Sequence, residues 1–257
     1  MRNWIVLGVL LAACGSPVRA ELMLFARYDW QDGAKDVSGS PIRHDGVLDP
    51  GASIENGKLV VNGWAGVQIG HLPELGGATS VVLRFEDVTF TKHGEEGSGA
   101  SSNFAVLTGD NMNWWAAVRF DLPPDQGRTT LVFDLGGFDY GPELVAVVAD
   151  DVVDHFDSIE YRFDGLAPAG QRLAIRWNDG PWVIGGEGNE ALHEFPPDLD
   201  VRVNNGLSGD WNPMWGSLGP VSFYSNQVPE PAAGGLLVGA AFACPLSRRI
   251  NRGKMHL

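Results

Sequence analysis

Cysteine is almost absent from this chain: Cys14 and Cys244 are the two among 257 residues. Both lie in terminal segments that resemble processing signals, so the domain between them has no disulfide framework. A domain of about 200 residues buries enough surface to be stable without one. The chain is 44% hydrophobic with 9 Trp and 12 Phe, which excludes a disordered chain. Its 34 glycines follow no three-residue period, which excludes collagen.

Positive charge is also scarce. The chain has 18 Lys and Arg against 32 Asp and Glu, a net charge of −14, and residues 21–226 hold 12 of the basic and 31 of the acidic residues. Nucleic acids and anionic membrane surfaces repel such a domain. We therefore expect no nucleic-acid partner, while neutral sugars and divalent cations remain compatible with the charge. Solubility through net charge is the simpler explanation of the acidity.

The common catalytic motifs are missing. There is no G-x-S-x-G elbow, P-loop or dinucleotide glycine pattern, and no paired histidines for zinc. The E-x-D-x-x-E strand motif of glucanases is absent. The isolated histidines are predicted at the surface or at strand ends: His44, His71, His93, His155 and His193. The densest acids near a strand, where a catalytic group would be sought first, are Asp150, Asp151, Asp154 and Glu160.

No apolar run at the N-terminus is long enough for a permanent bilayer span. Residues 4–13 follow Arg2 as a ten-residue apolar segment, which is typical of an export signal. Val18-Arg19-Ala20 predicts cleavage after Ala20. Leu11-Ala12-Ala13-Cys14 instead resembles the bacterial lipobox, in which Cys14 is lipidated. The predicted divisions are a signal peptide at 1–20, a domain at 21–226 and a tail at 227–257.

The C-terminal tail has three parts: Val228-Pro229-Glu230-Pro231, a Gly/Ala/Leu-rich apolar stretch, and a basic cluster that includes Arg248 and Arg249. The prolines keep the first part extended, and arginines favour the cytoplasmic side of a membrane. This order resembles the PEP-CTERM sorting signal. The resemblance implies a short hydrophobic transmembrane helix, transient membrane association and removal by an exosortase-type protease. It also implies export by a Gram-negative bacterium to its surface or surroundings.

The middle of the chain alternates apolar and polar residues in short runs, which is typical of half-buried strands. Examples are residues 58–62, 79–86, 114–120, 130–135, 158–163, 172–177, 199–203 and 221–224. The segment Asn178-Asp179-Gly180-Pro181 predicts a hairpin turn, and residues 142–156 fit either a helix or a strand. We therefore predict an all-β, two-sheet antiparallel sandwich. The side chains predicted between the sheets are Val81, Leu83, Phe85, Trp114, Val118 and Phe120.

A series of short motifs lies near the start of the domain. Asp36-Val37-Ser38-Gly39 is followed by Asp45-Gly46-Val47-Leu48, Gly57-Lys58-Leu59 and Gly66-Val67-Gln68-Ile69, and residues 216–224 match a closing strand. Their order resembles the laminin-G-like, concanavalin A-like jelly roll. The resemblance implies a jelly-roll sandwich. This fold hosts glucanases, lyases, lectins and adhesion modules, so it does not choose a function.

Two sets of residues are candidate binding sites. Trp115 follows the core-facing Trp114, so the alternation places it with Arg119 on the opposite face, where an indole can stack on a sugar ring. Trp211 and Trp215 flank a loop-like stretch that suits the same contact. The alternative is packing against the other sheet or under a loop.

The second set is three acids near the start of the domain. Asp29, Asp32 and Asp36 bring several oxygen ligands within ten residues, which suits calcium. The alternative for this set is ordinary Asx-turn structure.

The sequence therefore predicts an exported surface or extracellular-matrix protein that is non-catalytic and binds carbohydrate, with extracellular polysaccharide as its partner. The first alternative is an exopolysaccharide-degrading hydrolase or lyase on the same fold. The second is a purely structural matrix component. The acidic strand motif distinguishes an enzyme from a binding protein. The exposure of Trp115 distinguishes a binding protein from a structural component.

Overall fold

The computed structural model describes residues 21–63, 65–91, 100–109, 112–121, 128–135, 143–186, 192–195, 199–204 and 214–227, and for 100–109 and 112–121 it describes the backbone. The predicted export signal, with Cys14, and the predicted sorting tail lie outside these residues. Every regular element in the described part of the chain is a β-strand. No helix there is long and apolar enough to cross a membrane.

The strands form two antiparallel sheets. The nine-stranded sheet consists of β1 (Met23–Tyr28), β3 (Ser53–Glu55), β4 (Lys58–Gly63), β6 (Ser80–Phe90), β11 (His155–Asp164), β12 (Leu173–Trp177), β13 (Val183–Gly185), β15 (Met214–Leu218) and β16 (Val221–Ser225). The seven-stranded sheet consists of β2 (Val47–Leu48), β5 (Val67–His71), β7 (Ala100–Gly109), β8 (Met112–Asp121), β9 (Arg128–Leu135), β10 (Glu143–Ala149) and β14 (Asp200–Val203).

Strand β6 organises the nine-stranded sheet. One edge pairs with β11, and the other pairs first with β16 and then with β15. The change of partner occurs at Asp87, whose φ is +48°. There the amide of Gly219 donates to the Glu86 and Asp87 carbonyls. The indole Nε1 of the buried Trp30 closes this corner by donating to the Gly219 carbonyl at 2.6 Å.

The seven-stranded sheet runs in the order β10-β9-β8-β7-β14-β5-β2. Within residues 142–156, which fitted a helix or a strand, residues 143–149 form β10 and β11 begins at His155. In β10, Leu144 and Ala146 alternate with exposed valines and face the core. The predicted all-β antiparallel sandwich is therefore confirmed.

The core lies between the sheets and is rich in aromatic rings. Phe133 of the seven-stranded sheet and Tyr161 of the nine-stranded sheet meet with ring centroids 5.4 Å apart. Val81, Leu83 and Phe85 are buried as predicted, and burying each such side chain contributes about 1.5–3 kcal/mol. The side chains of Trp114, Val118 and Phe120 lie outside the described part of the structure.

The predicted hairpin turn is confirmed at residues 177–180. Asn178 and Asp179 have φ values of +48° and +52°, and the Gly180 amide donates to the Trp177 carbonyl at 2.8 Å. Positive φ at both central residues is the requirement of a type I′ turn, which Asn and Asp tolerate. This turn leads from β12 towards β13.

His44 contradicts the prediction that the isolated histidines lie at the surface or at strand ends. It is buried, and its Nε2 lies 3.0 Å from Oε1 of the buried Glu74. The Tyr28 hydroxyl donates to the His44 carbonyl. Burial and then the nearby carboxylates of Asp36, Asp45 and Glu74 raise the pKa of that hydroxyl. The Glu74 partner is thirty residues away, so no local spacing shows the pair.

Candidate functional site

Three of the residues predicted to contact sugar lie in described strands of the two sheets. Trp115 lies in β8, where its register partners are Val106 and Asp134, and Arg119 lies in the same strand opposite Ser101 and Thr130. Their side chains, and Trp211 entirely, fall outside the described part of the chain. Trp215 lies in β15 of the nine-stranded sheet and is half-buried. Trp215 therefore lies in a different sheet from Trp115 and Arg119.

The acids proposed for calcium lie in the loop after β1. Asp36 is buried, and its carboxylate accepts hydrogen bonds from the amides of Ser38 at 2.9 Å, Arg27 at 3.1 Å and His44 at 3.1 Å. Asp29 accepts from the Gln31 amide, and Asp32 is exposed. These bonds correspond to the Asx-turn alternative. Within the described ranges, no group of three His, Cys, Asp or Glu side chains is placed to hold a metal ion.

The acids marked as first places to search for catalysis are spread along one strand and its approach. Asp150 is exposed and lies 3.7 Å from the Arg128 guanidinium, whereas Glu160 is buried in the middle of β11. Asp154, just before β11, is six residues from Glu160, or roughly 20 Å along an extended strand. A retaining glycosidase needs its two carboxyl groups about 5–5.5 Å apart, so Asp154 and Glu160 do not form such a pair.

A row of alternating charges crosses the outer side of the nine-stranded sheet. Arg84 of β6, Glu160 of β11 and Arg176 of β12 are register neighbours. The Arg176 Nη2 lies 2.7 and 2.9 Å from the two Glu160 oxygens, and the Arg84 Nη1 donates to Glu160 Oε1. Glu160 is only 6% exposed, while the two arginines are 25% and 28% exposed. Glu160 therefore fixes both guanidinium groups at the surface of the sheet.

Arg84 is surrounded by carboxylates. Its Nε lies 3.0 Å from Glu86 and its Nη1 lies 3.4 Å from Asp179. Burial lowers the pKa of Arg84, but Glu86, Glu160 and Asp179 outweigh burial and raise it above its usual value. The row is thus a set of matched charges with no excess of positive charge.

Trp182 extends this row beyond β12. The guanidinium carbons of Arg162 and Arg176 lie 4.7 and 4.6 Å from its ring centroid, within the range of cation–π contact. Trp182 as a whole residue is half-buried. We name Arg84, Glu160, Arg162, Arg176 and Trp182 the arginine–tryptophan face.

A groove of about 350 Å³ adjoins this face and shares Arg162 with it. The groove is also lined by Thr79, Ser80, Asp164, Leu166 and Asn226, and the chain leading into β1 closes it with Glu21 and Leu22. Leu166 is 72% exposed. The Asn226 carboxamide accepts from the Thr79 and Ser80 amides and donates to the Thr79 hydroxyl, so it holds this edge of the groove in place.

The arginine–tryptophan face was missed by sequence reasoning, which placed the sugar-contacting tryptophans at Trp115, Trp211 and Trp215. Trp182 directly follows the predicted hairpin turn at residues 178–181, where few strands are close enough to cover a side chain. Its position beside the turn was the sequence signal that Trp182 could lie at the surface. The partners Arg84 and Glu160 are 76 residues apart, so their contact follows from strand order alone.

Comparison with known proteins identifies the fold. No protein-family model and no curated protein matches the sequence. Among solved structures, the chain is similar to the botulinum neurotoxin serotype G binding domain, with a TM-score of 0.52 and 11% identity over 79% of this chain and 48% of that one. It is similar to Trypanosoma rangeli sialidase in complex with sialic acid, with a TM-score of 0.51 and 13% identity over 82% and 31%.

Domain 4 of AbnA, a GH43 extracellular arabinanase from Geobacillus stearothermophilus in complex with arabinotriose, matches with a TM-score of 0.48 and 15% identity over 80% of this chain and 93% of that domain. The chain thus spans 31% of the sialidase and 48% of the neurotoxin domain. At these identities the sialidase and neurotoxin matches show a shared β-sandwich fold, which is compatible with a jelly roll.

Proposed function

We propose that this protein is an exported surface or matrix protein that binds extracellular carbohydrate without cleaving it. The observation that carries the proposal is the arginine–tryptophan face, in which the indole of a half-buried tryptophan lies beside fixed guanidinium and carboxylate groups. An aromatic face stacks on the C–H face of a sugar ring, and the charged groups bind its hydroxyls as donors and acceptors. Binding sites commonly combine such apolar surface with a few fixed polar groups.

The geometry around Glu160 favours binding over catalysis. A carboxyl group that acts as an acid or a nucleophile must reach the glycosidic bond. Both oxygens of Glu160 instead accept hydrogen bonds from guanidinium groups, and the side chain is nearly excluded from water. We infer that Glu160 positions the arginines.

Export and processing belong to the same proposal. The signal at residues 1–20, with either cleavage after Ala20 or lipidation at Cys14, sends the protein out of the cytoplasm. The tail at 227–257 holds it in the membrane until an exosortase-type protease cuts near Pro229-Glu230-Pro231. The protein then reaches the cell surface or the surrounding matrix, where polysaccharide is available.

A glycan array probed with residues 21–226, with calcium and with a chelator, tests the proposed function. We expect weak, millimolar-range binding to polysaccharide fragments, because an affinity of 1 mM corresponds to about −4 kcal/mol and each aromatic contact contributes about 0.5–1.5 kcal/mol. Reducing ends released from a polysaccharide panel would show that the protein is an enzyme instead. Absence of any binding would favour a purely structural matrix role.

Two variants decide which sheet carries the site. Trp182→Ala removes the indole of the arginine–tryptophan face, and Trp115→Ala tests the surface that the sequence predicts on the other sheet. We expect Trp182→Ala to weaken binding by about two- to tenfold, while both variants stay folded by circular dichroism. Loss of binding in Trp115→Ala alone would move the site to the seven-stranded sheet.

A further inference from the structure

We propose that the arginine–tryptophan face and the adjoining groove form one elongated site for an uncharged oligosaccharide longer than a single sugar ring. This inference rests on the proposed function and adds the ligand class and the extent of the site. Arg162 joins the two parts, because it contacts Trp182 and also lines the groove.

The length of the site follows from strand geometry. Glu160, in the row that ends at Trp182, and Asp164, in the groove, are four residues apart on β11 and their side chains point to the same side of the sheet. Four residues of extended strand span roughly 13 Å, which is longer than one pyranose ring. A single sugar therefore contacts only one part of the site, and a chain of several sugars contacts both.

The charges on this surface select an uncharged ligand. Arg84, Arg162 and Arg176 are accompanied by at least as many carboxylates, namely Glu86, Glu160, Asp164 and Asp179. A uronic acid or sulfated sugar would have to displace Glu160 from its arginines or approach the remaining carboxylates. Breaking an ion pair with a buried partner is costly, and like charges that are brought together repel.

Neutral hydroxyl groups meet neither obstacle. A hydroxyl donates to a carboxylate and accepts from a guanidinium. The arginines and carboxylates can therefore bind sugar hydroxyls while their own ion pairs stay intact. The groove adds the exposed Leu166 beside Leu22, which suits the apolar C–H faces of a sugar chain. The site thus offers both polar and apolar contacts.

The test measures binding of the full-length chain in a detergent that has no sugar headgroup. The probes are neutral gluco- and manno-oligosaccharides of two and six rings, and oligogalacturonate and oligomannuronate of six rings, measured by isothermal titration calorimetry. We expect the neutral hexamers to bind at least about tenfold more tightly than the dimers and than the acidic hexamers. Trp182→Ala and Leu166→Ser should each weaken hexamer binding by about two- to tenfold.

Val47→Ser is the matched control, because Val47 lies on β2 of the other sheet and is 67% exposed. This variant should bind the hexamers as tightly as the unmodified chain does. Tighter binding of acidic hexamers would overturn the ligand class. Equal binding of dimer and hexamer, or hexamer binding unaffected by both variants, would overturn the elongated site while leaving carbohydrate binding intact. Failure of every probe to bind would overturn the inference and the proposed function together.

Discussion

Glu160 shows how a single buried charge organises a surface. The carboxylate is nearly excluded from water but is bonded by Arg84 and Arg176, which are about one-quarter exposed. Removing one partner of such an arrangement leaves the others without compensation. Because the arginines keep access to water, the cost should lie below that of a fully buried pair.

Glu160→Gln should therefore lower the free energy of unfolding by about 1.5–3 kcal/mol, the range of hydrogen bonds to charged groups. Urea unfolding measures it as a lower midpoint with an unchanged slope. Asp179→Asn is the matched control: its side chain is 69% exposed and 3.4 Å from Arg84, so its effect should stay below about 1 kcal/mol. Equal losses of unfolding free energy in the two variants would contradict the structural role of Glu160.

Asp36 makes the stability of the fold depend on pH in the acid range. Burial raises the pKa of its carboxyl group, but the amides of Ser38, Arg27 and His44 outweigh burial and lower the pKa below its ordinary value. A carboxylate with a lowered folded-state pKa contributes stability above its unfolded pKa of about 3.9. That stability is lost as the pH falls through the folded-state value.

Asp36→Asn should flatten the fall in urea midpoint below about pH 4, because the amide is not protonated there. At pH 7 the variant should be less stable than the unmodified protein, since it loses the charge-assisted bonds. Asp32→Asn, an exposed residue of the same loop, should follow the profile of the unmodified protein. If the urea midpoint fell in parallel in all three proteins, Asp36 would not be the cause of the acid dependence.

Strand β15 lies between β6 and β4 in the nine-stranded sheet, and its backbone runs close to β6. A Cβ placed on Gly216 would lie 1.9 Å from the Thr89 carbonyl oxygen. This clash is with backbone, which cannot rotate away as a flexible side chain does. Glycine is thus required by the approach of two strands.

Gly216→Ala should reduce the free energy of unfolding by about 1–3 kcal/mol, the usual cost of forcing extra atoms into packed structure. Thermal melting and urea titration both report it. Ser217→Ala, the next residue on the same strand, keeps the backbone undisturbed and should change stability by less than about 0.5 kcal/mol. If Gly216→Ala left the free energy of unfolding unchanged, β15 and β6 would be able to move apart without destabilising the fold.

Among the described residues, the first and last strands pair with each other. β1 and β16 pair antiparallel, with Met23 opposite Ser225. The chain therefore enters and leaves the sandwich at the same edge, beside the groove lined by Glu21 and Asn226. The last described residue, Gln227, is attached to the fold through its bond to the Gly77 carbonyl at 2.7 Å.

Because Gln227 already belongs to the sandwich, cleavage after it should leave the domain intact. We expect mass spectrometry of the protein isolated from its host to find a C-terminus near Pro229-Glu230-Pro231 and an N-terminus at Glu21 or at a lipidated Cys14. Recovery of a chain that still ends at Leu257 would contradict the sorting prediction.

The sequence by itself determined the fold class, since alternation in residues 79–86 and 158–163 and the turn at Asn178 and Asp179 are local patterns with local causes. It also showed that Val81, Leu83 and Phe85 share a face. Period-two alternation separates two faces of a strand without telling which strand lies beside which. Only the tertiary structure decided that Arg84, Glu160 and Arg176 form one row, that Trp182 lies over it, and that His44 meets Glu74. Each of these contacts joins residues that are distant in the chain, so strand order rather than any local spacing brings them together.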